Sequence, residues 1–476
     1  MLDLIVRGGL VVRPDATGIA DVGIAAGKIV AVAAPEALGG VQAIRTIDAR
    51  DRIVIPGGID PHIHCNWPIQ PPKDGNPPQL SAGPDVVSRA ALYGGTTTLI
   101  DFAVWNAGES AEEALARRDR DWRGKCHCDY GFHVTLFGKV PPATISELPE
   151  ALQAGFPTVK IFTTNIRPIV RDRKVGFGDI WEVLKVTGRH GGLACIHAEE
   201  DDLVMHMYEK LISEGRAGFE NMAEVHTALS EDLAFRHIIR LAENVEGAAL
   251  YMMHVSAGTG VAAIRESRAR GYPIYGETLH QYMLYNADDY KRPNGQMYHT
   301  YPSLKTAADQ AALWRGTVDG EISTVATDGI CTSLCTKVQG KRIDDTTGGS
   351  AGVEPRLSVM YTEMVVKRGY SLAKFVDHVS TNAARLMGLY PRKGVIAPGA
   401  DADLVVFDPG IKRKVRVEDL HEADYTPWEG HEIAGWPETT ILRGKVMVEK
   451  GVFYGEGKGE RLPRKIADAI RSRPAC

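Results

Sequence analysis

Apolar and polar positions along the chain fall into three regimes. Over residues 1–52 the apolar runs are short: Leu4-Ile5-Val6, Leu10-Val11-Val12, Val22-Gly23-Ile24 and Lys28-Ile29-Val30-Ala31-Val32, separated by Gly, Asp and Pro. Runs of that length with those breakers predict strands joined by tight turns. From Val54 onward the runs alternate with helix-length segments. Strands are predicted over 53–64, 96–102, 129–137, 157–162, 192–197, 249–255, 273–277 and 322–328, and helices over Ser110–Trp122, Asp179–His190, Met222–Asn244 and Gly258–Arg270. Strand–helix alternation predicts an α/β fold with parallel strands. Eight strands over roughly 275 residues match a closed (β/α)₈ barrel, assigned here to 53–388. The helical signal stops near Met387. Within 389–476, Gly394 to Asp403 is turn-rich, Leu404-Val405-Val406-Phe407 reads as a strand and Thr440 to Val448 as a hairpin turning at Gly444. The expected fold class is therefore α/β, a TIM-type barrel beside an accessory β-sandwich built from both terminal segments.

Two further stretches carry expectations. Trp67–Pro84 holds six prolines, which predicts a stiff, ordered lid over a site mouth. Lys458 to Cys476 holds six basic residues and reads as a solvated tail, with an arm docking on a neighbouring subunit as the alternative.

Composition narrows the function classes. A hydrophobic fraction of 44% with 24% charged residues is that of a soluble globular protein. A net charge of −5 offers no basic face for nucleic acid. No window supplies the apolar run of a membrane span, and Met1 to Arg7 reads as a strand and not a signal peptide. Seven scattered cysteines, an odd number, predict reduced thiols and a cytoplasmic setting. Cys126-His127-Cys128 and Cys331…Cys335 fit no standard zinc module and read as buried or loop thiols. Cys195, two before His197, shares its strand face and reads as packing.

The candidate chemistry lies at strand ends. His62 and His64 are two apart, so on a strand both imidazoles leave one face and can share a metal ion. Lys160 sits inside the apolar run Phe156 to Phe162, an expensive place for a cation that is neither paired nor modified. His197, His254 and Asp328 each close an apolar run. Taken singly, each histidine also reads as a core residue, the lysine as one that snorkels, and the acidic run after His197 as a solvated helix start. Together the six fall at the ends of strands one, four, five, six and eight, where the barrel class carries its active site. One ion takes about four ligands, so six side chains point to two ions sharing a bridge.

The ordered set of motifs resembles the dihydropyrimidinase and hydantoinase group, the cyclic-amidohydrolase branch of the amidohydrolase superfamily. The resemblance runs end to end. It is carried by Pro56 to His64, Gly94-Gly95-Thr96-Thr97, the Lys160 strand, His197-Ala198-Glu199, His254-Val255-Ser256, Gly276-Glu277-Thr278, Ala326-Thr327-Asp328, Gly352-Val353-Glu354, Ser380 to Arg385, and Tyr390 to Leu404. It implies that CO₂ carboxylates Lys160 and that the carbamate bridges two divalent metals. His62, His64 and Asp328 would hold the inner ion, and His197 and His254 the outer one. Zinc is the expected metal from the ligand types, with manganese, cobalt and nickel open. A hydroxide between the ions would attack the ring carbonyl, and Asp328 would pass its proton to the leaving nitrogen. A homotetramer or homodimer acting on a small-molecule cyclic amide is implied.

Related groups are weighed on single features. Dihydroorotase-like and allantoinase-like enzymes carry an Arg soon after the His-x-His pair, where this chain has Cys65-Asn66-Trp67. The metal-free scaffold proteins related to dihydropyrimidinases have lost ligands that are all present here. A hydrolase of an acyclic amide, carbamate or urea is the alternative function. The substrate shell departs from the group's pattern. Asn165 stands for a Tyr that supports the oxyanion, Tyr301 for a Ser and Gly348 for an Asn that hold the ring, and Gly329 for a His. These departures predict a substrate other than dihydrouracil. Arg167, Arg171, Arg173 and Lys174 in the following loop read as a solvated segment, with an anionic substituent as the alternative partner.

Overall fold

The computed structural model describes residues 1–69, 79–455 and 459–476. Five strands open the chain: β1 (Leu2–Val12), β2 (Thr17–Ala25), β3 (Lys28–Ala33), β4 (Ala43–Asp48) and β5 (Ile53–Pro56). Eight follow: β6 (Gly58–Asp60), β7 (Thr96–Val104), β8 (Asp129–Thr135), β9 (Thr158–Phe162), β10 (Leu193–His197), β11 (Leu250–Met252), β12 (Ile274–Leu279) and β13 (Ile322–Ala326). The last are β14 (Leu404–Lys414), β15 (Glu432–Leu442), β16 (Lys445–Glu449) and β17 (Val452–Phe453).

Strands β6 to β13 form one parallel sheet in sequence order. Ile63 pairs with Gly329 across the remaining gap, which closes the expected barrel. Parallel barrel strands are covered on both faces, so every residue of β9 and β10 is buried. Val159, Ile161, Ala194 and Ile196 pack outward against the helices. Leu193, Cys195, Tyr251, Met253 and Tyr275 fill the lumen. The two-residue period therefore points Lys160 and His197 inward, and Cys195 packs as read.

The terminal segments meet in one nine-stranded mixed sheet, ordered β17-β16-β15-β14-β5-β1-β2-β3, with β4 also on β1. β1 bulges between Val6 and Gly9, so its first half pairs with β4 and its second with β5. This corrects the first barrel strand: Ile53–Pro56 belongs to the accessory sheet, between β1 and β14, and the barrel begins at Gly58. The crossing is made at Gly57, where a β-carbon would lie 2.1 Å from Thr97 Oγ1.

The helix expected over Ser110–Trp122 forms as Ala111–Trp122, headed by a capping box between Ser110 and Glu113. The one expected over Met222–Asn244 is two helices, Met222–Val225 and Ala228–Glu243. The break falls at His226, drawn inward to the site, and Thr227 caps the second helix through the Ser230 N–H at 3.1 Å. Among the described residues no helix is long and apolar enough to cross a membrane.

The final segment is not a solvated tail. Leu462, Ile466 and Ile470 are buried in the lumen-base cluster, and Arg464 is buried beside them. Of the expected lid, residues 70–78 lie outside the description. Its flanks pair, Ile69 N–H to Gln79 O at 2.7 Å and Ser81 N–H to Trp67 O at 2.9 Å.

Candidate active site

His62, His64, Lys160, His197, His254 and Asp328 line one cavity at the C-terminal ends of the barrel strands. Nε2 of His62 and Nε2 of His64 lie 3.0 and 3.1 Å from the same Asp328 oxygen, Oδ1. Each of the three offers a ligand atom within 4.8 Å of the others, and all three residues are buried. The His197 and His254 rings sit 4.4 Å apart in an edge-on pair, with His254 5.5 Å from His62. Two of the cluster's polar atoms, Nδ1 of His64 and Nδ1 of His254, are buried without a hydrogen-bond partner. Imidazole and carboxylate donors that converge with orphaned nitrogens fit a divalent metal. His254 and Asp328 take φ of 40° and 50°, a left-handed backbone that costs energy in non-glycine residues and concentrates at functional sites.

Second-layer carboxylates orient the imidazoles. Glu277 Oε1 is 2.7 Å from His62 Nδ1 and accepts the His254 backbone N–H at 3.1 Å, while its Oε2 accepts the Tyr251 hydroxyl at 2.8 Å. Glu199 lies 3.0 Å from His197 Nε2 and 2.8 Å from His226 Nδ1. Thr300 donates to Asp328 Oδ2 at 2.6 Å. Fixing one ring nitrogen in this way dictates which nitrogen is left for a metal. Burial pulls the His62 pKa down, but the Glu277 and Asp328 carboxylates outweigh it and hold it at about 9. The place between these carboxylates thus calls for a cation. Burial lowers His64, and it lowers His197 to about 4. Burial opposes ionisation of Asp328, yet His62 and His64 keep its carboxylate well below the ordinary range.

Lys160 is 1% exposed. Its ammonium meets the Met253 sulfur at 3.0 Å and lies 4.6 Å from the Phe162 ring centroid. Burial pulls its pKa to about 8.

The cavity wall departs from expectation at one residue and couples two others. The Asn165 side chain does not line the cavity. Its Oδ1 accepts the backbone N–H groups of Arg173 and Lys174, both at 3.0 Å. Tyr301 and Gly348 do line it, and they depend on each other: a β-carbon at Gly348 would lie 2.4 Å from Tyr301 Cδ2. The Tyr301 ring therefore excludes any side chain at 348. Gly329 is similarly confined, with a β-carbon 2.5 Å from Ile63 Cδ1. Of the loop cations, Lys174 pairs with Asp201 at 3.2 Å and Arg171 is exposed, but Arg167 and Arg173 face the cavity. The solvated reading fails for those two.

The profile of the amidohydrolase family matches residues 53–447. The chain belongs to the amidohydrolase family. It is 34% identical to a D-hydantoinase of Streptomyces coelicolor over 468 residues, covering 97% of each chain. It is 32% identical to a D-hydantoinase of Geobacillus stearothermophilus, covering 98% of this chain and 97% of that one. The crystal structure of dihydropyrimidinase from Brevibacillus agri superposes with a TM-score of 0.91 at 31% identity, covering 98% of this chain and 100% of that one.

In this amidohydrolase, sequence reasoning missed the orienting layer. Glu277 offered a signal as a carboxylate inside the apolar run Ile274–Leu279, and Glu199 as the acid two positions after His197. His226 and Thr300 offered none, because their roles depend on three-dimensional proximity alone.

Proposed function

We propose that this amidohydrolase is a binuclear metal-dependent hydrolase that opens a cyclic amide or imide ring of the hydantoin or dihydropyrimidine type. The observation that carries the reading is the convergence of six ligand-type side chains on one cavity, in a chain whose relatives are named hydantoinases. His62, His64 and Asp328 would hold one ion and His197 and His254 a second, with a carboxylated Lys160 as the anionic ligand that the resemblance implies for both. A lysine pulled to about 8 by burial keeps a sizeable neutral-amine fraction, the form that adds CO₂. When bound, two divalent ions, zinc by ligand type, polarise the ring carbonyl and acidify water.

The remaining steps belong to the protein. Thr300 fixes the Asp328 carboxylate through Oδ2, leaving Oδ1 turned to the histidines. The Asp328 carboxylate takes a proton from the attacking water and delivers it to the ring nitrogen as the C–N bond breaks, which yields an open amide acid. Trp67, Ile69, Ile330 and Tyr301 wall the cavity. With no phenol at 165, a donor commonly worth about 2.7–4 kcal/mol to an oxyanion is missing, so dihydrouracil is a poor substrate and substituted hydantoins or imides are better ones.

The test is elemental analysis of metal-replete protein with a ring-opening assay. About two metals per chain are expected, and His62→Ala or Asp328→Ala abolishes ring opening while leaving the fold intact. A reproducible single metal overturns the binuclear reading. Dihydrouracil as the best substrate in a panel with hydantoins and cyclic imides overturns the substrate reading.

A further inference from the structure

Arg173 faces the cavity with its guanidinium packed 5.4 Å from both the Phe137 and Phe162 ring centroids. Among the described residues no carboxylate pairs with it, and the charged or phenolic groups that act on it are Arg167 and Tyr301. The Phe162 ring is shared: it also lies 4.6 Å from Lys160 Nζ and 5.1 Å from the His197 ring. Arg173 is thus one aromatic ring away from the metal-ligand cluster. Arg167 adds a second guanidinium to the same wall, donating to Thr346 O at 2.9 Å and lying 5.8 Å from the Tyr301 ring centroid. The segment carrying both is held in a costly shape. Ile166 and Asp172 take φ of 70° and 56°, and the Asn165 amide oxygen pins the backbone at Arg173. An arginine whose backbone is held in this way, and which has no carboxylate partner among the described residues, suits an oxyanion.

The geometry points to a substrate that carries a carboxylate substituent on its amide ring, recognised by Arg173 with Arg167 beside it while the ring carbonyl faces the histidine cluster. This rests on the proposed ring-opening function and names the substrate class within it.

Equilibrium binding to the metal-replete protein tests the inference without turnover. The probes are cyclopentanone carboxylic acid and its carboxamide, equal in size and without a ring C–N bond. The acid is expected to bind at least about tenfold more tightly than the amide, and Arg173→Met brings the pair to within about twofold. Equal affinities for wild type overturn the inference whether or not the variant folds, and so does an acid preference that survives in Arg173→Met. Ring opening of hydantoin acetic acid and hydantoin acetamide reports separately on the proposed function. If neither opens, that function fails, and the binding comparison still decides the carboxylate.

Discussion

Lys160 is the residue on which the charge of the site turns. Buried against a thioether and aromatic rings, the free ammonium is poorly compensated, and its pKa falls to about 8. A lysine whose folded pKa lies below its unfolded value binds fewer protons folded than unfolded between about 8 and 10.5. Stability of the uncarboxylated protein therefore rises with pH through that window, and below about 8 the full penalty is present. Lys160→Met removes the charge and keeps the length. In metal-free, CO₂-depleted buffer the variant should exceed wild type by about 3 kcal/mol near neutral pH, with the gap closing toward pH 10.5. Urea unfolding across pH reads it, and a gap independent of pH contradicts it. Lys160 was legible in the sequence because a lysine inside an apolar strand is conspicuous without coordinates. Glu277 had the same conspicuous setting, but its partner His62 lies 215 positions away and nothing local links them.

Among elements, strands were read more surely than helices. An apolar run of five residues announces a buried strand, but Pro142–Gln153 carries prolines at 142 and 149 and Pro84–Tyr93 begins on one, so both helices escaped the reading. Met222–Asn244 failed oppositely: its periodicity continues across His226, and the break comes from a tertiary pull toward Glu199. The short helix Leu334–Lys337 was invisible as well, yet it holds the cavity wall. The buried Lys337 ammonium donates to His299 O at 2.7 Å, to Thr347 O at 2.8 Å and to Gly349 O. It ties the segment leading to Tyr301 to the segment containing Gly348. Lys337→Met strands three carbonyls, each costing about 1–3 kcal/mol if left unsatisfied. The lost bonds are set against relief of the burial that pulls Lys337 to about 7, so the denaturant midpoint relative to wild type should move with pH near neutrality, and KM should rise more than kcat falls because the ligand cluster is untouched. An unchanged midpoint with unchanged KM contradicts this role.

At the scale of the molecule, both ends of the chain serve the barrel. The terminal strands join in one sheet, as their short runs and turn residues foretold. The last nineteen residues were misread because their six basic residues masked a spaced apolar set, Leu462, Ile466 and Ile470. That set seals the end of the lumen opposite the active site. Leu462 N–H donates to Tyr130 O at 2.8 Å, Tyr275 donates to Ile470 O at 2.7 Å, and Ser323 donates to Cys476 O at 3.1 Å. The segment thus ties down the starts of β8, β12 and β13. Arg464, 3% exposed, reaches Phe132 O and lies 3.1 Å from Thr158 Oγ1 and 3.3 Å from Met387 O. Burial of each aliphatic side chain contributes about 1.5–3 kcal/mol. A chain ending at Arg461 should therefore lose several kcal/mol and expose Cys195 and Tyr251 to solvent from below. Ile466→Ala is the milder version, with an expected loss of about 2–5 kcal/mol. Both are read by urea unfolding, with thiol labelling at Cys195 as a second probe. The proposed metal ligands lie at the other strand ends, so folded Ile466→Ala protein should keep the metal content of wild type. A truncated chain with wild-type stability and an unreactive Cys195 would return the segment to the status of a solvated tail.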